Sequence, residues 1–148
     1  MTRGSQHGLR PDVIAVDDSA VVRKVIEASL TQAGIHVLTF PDGPSLLRAA
    51  QSGQVVAPGL VVLDINMPRM SGYDVADSLR HQPGFADAQI IMLTGQNTIV
   101  DRVRSRILGA SEFIAKPFSV PDFVATVCRH LDISPHGHTG GRWPTPGE

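Results

Sequence analysis

The stretch LVVLDINMPRMSG, residues 60–72, decides the fold prediction for this chain. Its first four residues, Leu60 to Leu63, are apolar, which is typical of a strand buried on both faces in a helix-covered parallel sheet. The strand pattern stops at a carboxylate, Asp64, and a proline and a glycine follow within a few residues. A buried strand that carries an acid at its C-terminal end indicates a functional group placed on a rigid support.

Four more short apolar runs share this character, and they alternate with stretches of helical periodicity. Strands are predicted at 13–16, 36–40, 60–63, 90–93 and 112–115, and helices at 19–33, 44–52, 71–82, 98–109 and 119–131. Strands that alternate with helices imply right-handed crossovers and a parallel sheet covered on both faces. The sequence therefore predicts an α/β fold, a (βα)₅ flavodoxin-like three-layer sandwich with strand order 2-1-3-4-5.

Apolar residues at helical spacing define one stripe on each of three predicted helices. The stripes are Val21, Val22, Val25, Ile26 and Leu30 in the first helix, Ile99, Val100, Val103, Ile107 and Leu108 in the fourth, and Phe123, Val124, Val127, Cys128 and Leu131 in the fifth. Ser71 and Asp74 have the spacing of a capping box, which predicts the start of the third helix.

Composition limits the class of protein. The chain has 148 residues, 42% of them hydrophobic and 18% charged, with a formal net charge of −1, which suits one globular domain and predicts no direct nucleic-acid binding. Because the chain has a single cysteine, an internal disulfide is impossible, which favours a cytoplasmic location. No apolar run is long enough to span a membrane, so no membrane insertion is predicted. Low apolar content predicts disordered tails at 1–10 and 133–148 around an ordered domain at 11–132.

Functional side chains follow four of the predicted strands. Strand 1 ends in Asp17 and Asp18, strand 3 in Asp64, strand 4 in Thr94 and strand 5 in Lys116. Because ligands of such sheets bind at the carboxyl ends of the strands, where the strand order reverses, these groups should converge. Three converging carboxylates imply either that some are protonated or that a cation lies among them, and Mg²⁺ is the usual cation beside phosphate. With a hydroxyl and an ammonium nearby, Asp64 becomes a candidate nucleophile that forms an acyl phosphate.

The segments VDDS (16–19), LDINMPRMSG (63–72), LTG (93–95) and FIAKPF (113–118) together resemble the receiver domain of two-component response regulators. The resemblance covers about residues 12 to 132. The resemblance implies that Asp64 is the phosphoacceptor and that Mg²⁺ is bound by Asp18 directly, by Asp17 through water and by the backbone carbonyl of Asn66. It implies that Thr94 and Lys116 bind the phosphoryl group, that Thr94 and Phe113 are the switch residues, and that the bond before Pro117 is cis. It also implies that Asn66 and Gln96 influence the rate of dephosphorylation.

The same resemblance implies a function. A histidine kinase would donate a phosphoryl group to Asp64, and the face made by the fourth helix, fifth strand and fifth helix would control a protein partner. Such a chain, a monomer or weak dimer, is not an enzyme toward other substrates. Residues 101–118 resemble stand-alone receivers of pilus or twitching-motility chemosensory systems, with no room for an effector domain after the last helix.

Other interpretations stay open from the residues alone. The chain could be a phosphorylation-independent docking module or a receiver fragment of a longer regulator. A Mg²⁺-dependent phosphatase usually has a second acid two residues beyond its nucleophile, where this chain has Asn66. A flavin protein would have a hydroxyl- or glycine-rich phosphate loop after the first strand, where this chain has DDSAVV.

Overall fold

The computed structural model of the protein describes residues 9–95 and 99–133. The strands are β1 Val13–Val16, β2 Val37–Phe40, β3 Leu60–Asp64, β4 Gln89–Thr94 and β5 Glu112–Ala115. The helices are α1 Ala20–Gln32, α2 Gly43–Gln51, α3 Gly72–Arg80, α4 Ile99–Ile107 and α5 Val120–Leu131. The alternation of strands and helices predicted from the sequence is confirmed, and no bound differs by more than two residues.

The five strands form one parallel sheet in the order β2-β1-β3-β4-β5. In the register, Val16 of β1 lies opposite Leu63 of β3, and Asp64 lies opposite Leu93 of β4. The C-terminal ends of these three neighbouring strands therefore lie level at one edge. The predicted flavodoxin-like fold is confirmed, and it brings the residues that follow β1, β3 and β4 to that edge.

Strand β3 separates two apolar clusters, one on each face of the sheet. Val61 and Leu63 belong to the cluster that α2 and α3 cover, whereas Leu60 and Val62 belong to the cluster that α1 and α5 cover. All four side chains are fully buried. Burial on both faces explains the uninterrupted apolar run in the sequence and gives Asp64 a rigid support.

The loop after β3 turns back under Asp64 and enters α3. The predicted capping box forms, with Ser71 and Asp74 each accepting a hydrogen bond from the other's backbone N–H. A Cβ atom at Gly72 would lie 2.5 Å from the Asp64 carbonyl oxygen, so no side chain fits there. Glycine at this position lets the loop pass close to the end of the strand.

The apolar stripe of α4 faces solvent, unlike an ordinary amphipathic stripe, which covers the core. Ile99, Val100, Val103 and Ile107 are 80%, 73%, 52% and 78% exposed, and Ser105 is the buried residue of this helix. In α1, Ile26 and Leu30 are buried, but Val21 is 73% exposed and lines a surface groove with Phe118. The spacing of apolar residues along a helix identifies its apolar face, but the packing of neighbouring helices and strands decides whether that face is buried.

Leu9, which lies inside the predicted N-terminal tail, forms a parallel bridge with Val55. The remainder of the predicted N-terminal tail, and all but the first residue of the predicted C-terminal tail, lie outside the described residues. Within 9–95 and 99–133, no helix has the length and apolarity that a membrane span requires.

Candidate functional site

Three carboxylates meet where β1 and β3 end. Asp17 and Asp18 directly follow β1, and Asp64 is the last residue of β3. One oxygen atom from each of the three lies within 4.8 Å of the others. Asp17 and Asp64 are buried, whereas Asp18 is exposed. The adjacency of β1 and β3 in the sheet thus produces an acidic cluster with two buried members and one open to solvent.

Lys116 reaches this cluster from the end of β5, two strands away from β3. Its Nζ atom lies 2.7 Å from Asp17 Oδ2 and 3.4 Å from Asp64 Oδ1. Its backbone N–H donates to the carbonyl oxygen of Thr94 at 2.6 Å, and the Lys116–Pro117 peptide bond is cis. Burial by itself would lower the pKa of the ammonium, but the Asp17 and Asp64 carboxylates raise it above its ordinary value. Lys116 is therefore charged in the folded protein.

The site carries more negative than positive charge. Burial first, and then the neighbouring Asp17 charge, raise the pKa of Asp64 to about 6, while Lys116 and the Asn66 N–H act in the opposite direction. The Asn66 N–H donates to Asp64 Oδ1 at 3.1 Å. Three carboxylates face one ammonium, so a cation bound among them would relieve the repulsion. A cluster of carboxylate oxygens is the donor set that Mg²⁺ prefers, and the residues present fit that ion.

Protein donors already engage Asp17. Its Oδ1 accepts from the Ser19 N–H at 2.9 Å, and its Oδ2 accepts from Lys116. A guanidinium N–H of Arg23 holds the Asp17 carbonyl oxygen at 2.7 Å. Asp18 is the open member of the pair. The direct ligand role of Asp18 and the water-mediated role of Asp17, which the resemblance implies, stay predictions.

Thr94 closes the site on the β4 side. It is fully buried at the end of the strand, and its hydroxyl donates to the Asn66 side-chain oxygen at 3.0 Å. Two predicted site residues, Asn66 and Thr94, are thereby joined directly by their side chains, a contact the sequence reasoning did not contain. The second predicted switch residue, Phe113, is half-buried on β5, and the Arg102 guanidinium lies 5.0 Å from its ring centre.

Two points separate the sequence prediction from the structure. Gln96, predicted to influence dephosphorylation, lies outside the described residues. Arg23 was not predicted as a site residue, but the sequence contains a signal for it. A cation at the fourth residue of α1, six residues after Asp17, can reach back to the end of β1. It fixes the backbone of the acidic loop.

The sequence profile of the response regulator receiver domain matches residues 13–128. This chain belongs to the response regulator receiver family. The receiver is 29% identical to protein PilG of Pseudomonas aeruginosa over 120 residues, which cover 80% of this chain and 86% of that protein. It is 36% identical over 115 residues to a probable transcriptional regulator, ycf27, of Cyanophora paradoxa, covering 78% of this chain and 46% of that protein. The receiver thus spans about half the length of this and several similar relatives.

Solved structures agree with this assignment. The chemotaxis protein CheY4 of Vibrio cholerae superposes with a TM-score of 0.73 at 30% identity, covering 82% of the receiver and 98% of that chain. The receiver domain of a sensor histidine kinase from Pseudomonas aeruginosa, solved with magnesium in its active-site cleft, superposes with a TM-score of 0.71 at 26% identity, covering 84% and 98%. The resemblance stated from the sequence is confirmed at the level of family and fold.

Proposed function

We propose that this receiver accepts a phosphoryl group from a histidine kinase on Asp64, with Mg²⁺ bound, and that the product controls a protein partner through α4, β5 and α5. One observation carries the proposal: the buried Asp64 carboxylate lies 3.4 Å from Lys116 and within a cluster of three acids. In this proposal the protein accepts and loses its own phosphoryl group and catalyses no reaction of other substrates.

The transfer requires a carboxylate nucleophile and compensation of the charge on the phosphoryl oxygens. An Asp64 oxygen attacks phosphorus, the P–N bond to the kinase histidine breaks, and its electron pair leaves on the imidazole, which then takes up a proton. The Lys116 ammonium stays beside the reacting oxygens, where positive charge stabilises the transferring group. Asp18, Asp64 and the Asn66 carbonyl would hold Mg²⁺, with Asp17 through water. When bound, this ion supplies charge neutralisation for the carboxylates and the phosphoryl oxygens.

The hydroxyl of Thr94 provides the link to the output surface. It is bonded to the Asn66 side chain in the structure, so contact with a phosphoryl oxygen on Asp64 requires it to exchange that partner. Movement of Thr94 changes the end of β4, where it lies opposite Ala115 of β5, two residues after Phe113 on the same strand. Phe113 then turns inward, and Arg102, which lies over its ring, moves with it. The local charge on Asp64 thereby shifts the balance between two conformations of this face.

An apolar groove beside the site suits the kinase. It has a volume of about 450 Å³, lies between α1 and the loop after β5, and borders Lys116. Val21, Val25 and Phe118 line it. Because a phosphohistidine must reach Asp64 itself, the protein that carries it must cover the rim of the site. We propose that helical residues of the kinase occupy this groove during transfer.

Beryllofluoride with Mg²⁺, which mimics an acyl phosphate, tests the acceptor by NMR. We expect it to perturb the amide signals of Thr94, Phe113 and Lys116 in the wild type. Asp64→Ala should abolish the response, and Asp77→Ala, an exposed acid of α3, should keep it. Persistence of the shifts in Asp64→Ala would show that another residue is the acceptor.

Incubation with acetyl phosphate should add one acid-stable, alkali-labile phosphoryl group.

A second candidate function is docking that needs no phosphorylation. One observation favours it: the apolar residues of α4 form an exposed row that a partner can contact without reaching Asp64. The two functions differ in a direct measurement. A partner that binds wild type and Asp64→Ala equally, with and without beryllofluoride, would establish the phosphorylation-independent mode.

A further inference from the structure

A small polar cavity lies between α4 and β5, outside the acidic site. Its volume is about 110 Å³. Its walls include Arg102, Ser105, Arg106, Ser111, Glu112 and Phe113. Most of the polar wall residues are arginine or serine. Of the six wall residues, Phe113 and Arg102 take part in the switch proposed above, and the other four have no role in it.

The cavity is rich in hydrogen-bond donors. Ser105 is 1% exposed, and its hydroxyl makes no hydrogen bond of ordinary geometry with the described residues, although it lies close enough to the Tyr73 hydroxyl to lower the pKa of that group. Arg106 forms no ion pair with any carboxylate in the described part of the chain. The one acid in the wall, Glu112, is already held by His130 at 3.0 Å and by Arg129 at 3.3 Å. The Ser105 hydroxyl and the Arg106 guanidinium, both lining this partly open cavity, favour an acceptor that carries negative charge.

The exposed apolar residues of α4 lie beside this cavity, because Arg102 and Arg106 border both. Ile99, Val103 and Ile107 follow one another at four-residue intervals, which places them in a row along the helix. Arg102 and Arg106 form the adjacent row, one residue earlier than Val103 and Ile107. A partner segment that covers the apolar row therefore has the two arginines and the cavity beside it. An amphipathic helix with one acidic residue next to its apolar face is complementary to this surface.

We propose that the α4–β5 cavity binds a carboxylate from an acidic side chain of a partner protein, whose apolar residues cover Ile99, Val103 and Ile107. The inference rests on the proposed function for the location of the output face, and it adds the chemistry of the partner. The carboxylate accepts from Ser105 and from Arg106, and so gives the buried hydroxyl a hydrogen bond of ordinary geometry.

Arg102 connects this cavity to the switch residue. Its guanidinium lies 5.0 Å from the centre of the Phe113 ring, and both side chains line the cavity. A carboxylate bound there stays close to Arg102, so its affinity depends on where Phe113 holds the guanidinium. Partner binding and the state of Asp64 are then coupled through a shared contact, and the coupling acts equally in both directions.

The test uses two matched peptides and the full chain labelled with ¹⁵N. One peptide is an amphipathic helix with leucines on one face and a single glutamate beside them, and the other has glutamine in place of that glutamate. We expect the glutamate peptide to shift the amide signals of Ser105, Ser111 and Phe113 and to bind about tenfold more tightly than the glutamine peptide. Arg106→Gln and Ser105→Ala should remove this preference, whereas Arg48→Gln, an exposed arginine on α2, should keep it.

Several outcomes would overturn the proposal. Equal binding of both peptides would show an apolar contact without a carboxylate site, and no binding of either would show a cavity that holds water only. Shifts confined to Val21 and Phe118 would place the peptide in the other groove. None of these results alters the response of Thr94 and Lys116 to beryllofluoride, so failure here is distinguishable from failure of the phosphoryl-transfer proposal.

Discussion

Helices α5 and α4 carry apolar stripes of similar length, yet they meet the rest of the protein in opposite ways. The α5 stripe places Phe123, Val127 and Cys128 in the cluster under β1, β3 and β4, all almost fully buried. In the α4 stripe, Ile99, Val100, Val103 and Ile107 are exposed, and Leu108, just after the helix, packs against the core. One stripe holds the fold together, and the other is available to a second molecule.

Polar contacts replace apolar burial where α4 meets the domain. The Tyr73 hydroxyl of α3 donates to the Asp101 carboxylate, and the Arg104 guanidinium lies 4.1 Å from the centre of the Tyr73 ring. Arg80, at the end of α3, donates to the carbonyl oxygens of Leu108 and Gly109 just after α4. A helix held by a few directional bonds can shift with smaller losses than a helix embedded in a core, which suits an output surface.

The largest expected difference comes from the same substitution on the two stripes. Val127→Ala removes two methyl groups from a fully buried position, and we expect it to lower the free energy of unfolding by about 2 kcal/mol. Val103→Ala on α4 should change it by less than about 0.5 kcal/mol, because that side chain is half exposed. Urea unfolding followed by circular dichroism measures both. Equal losses at the two positions would contradict the contrast between the helices.

A smaller loss is expected from the arginine that fastens the end of α4. Arg80 also donates to the carbonyl oxygens of Ala86 and Ala88 at 2.8 Å, so one guanidinium joins two loops. Arg80→Lys keeps the charge but loses the planar set of donors, and we expect a loss of about 1 to 2 kcal/mol in unfolding free energy. Arg48→Lys, on the exposed side of α2, is the matched control and should be neutral. A neutral Arg80→Lys would mean that α4 is held in another way.

The smallest expected effect concerns the hydroxyl of Tyr73. Burial, together with the hydrogen bond to Asp101, raises the pKa of Tyr73 to about 12, so the hydroxyl stays protonated and donates throughout the physiological range. Tyr73→Phe should cost about 1 kcal/mol and speed amide hydrogen exchange in α4 about fivefold, with α5 unchanged. Mass spectrometry of exchanged peptides measures this. Faster exchange in α5 to the same extent would indicate global loosening instead of a local release of α4.

The sequence predicted the acidic site well because strand ends are easy to locate. Each of Asp17, Asp64 and Thr94 stands directly after an apolar run, and parallel strands bring such residues to one edge whatever the details of packing. The contact between Thr94 and Asn66, and the grip of Arg23 on the Asp17 backbone, depend on side-chain directions that spacing does not give. The exposed side of α4 was equally beyond the sequence, since Ile99 and Val103 have the spacing of a core stripe.

By itself, the sequence determined the order of strands and helices, the turn at Gly72 and the acids and lysine that end the strands, because chain periodicity and local sterics act over a few residues. Tertiary structure alone decided that Lys116 spans the sheet edge to Asp17, that burial raises the pKa of Asp64 to about 6, and that α4 turns its apolar row outward. These properties depend on which groups exclude water from one another, and residues far apart in the chain determine that exclusion.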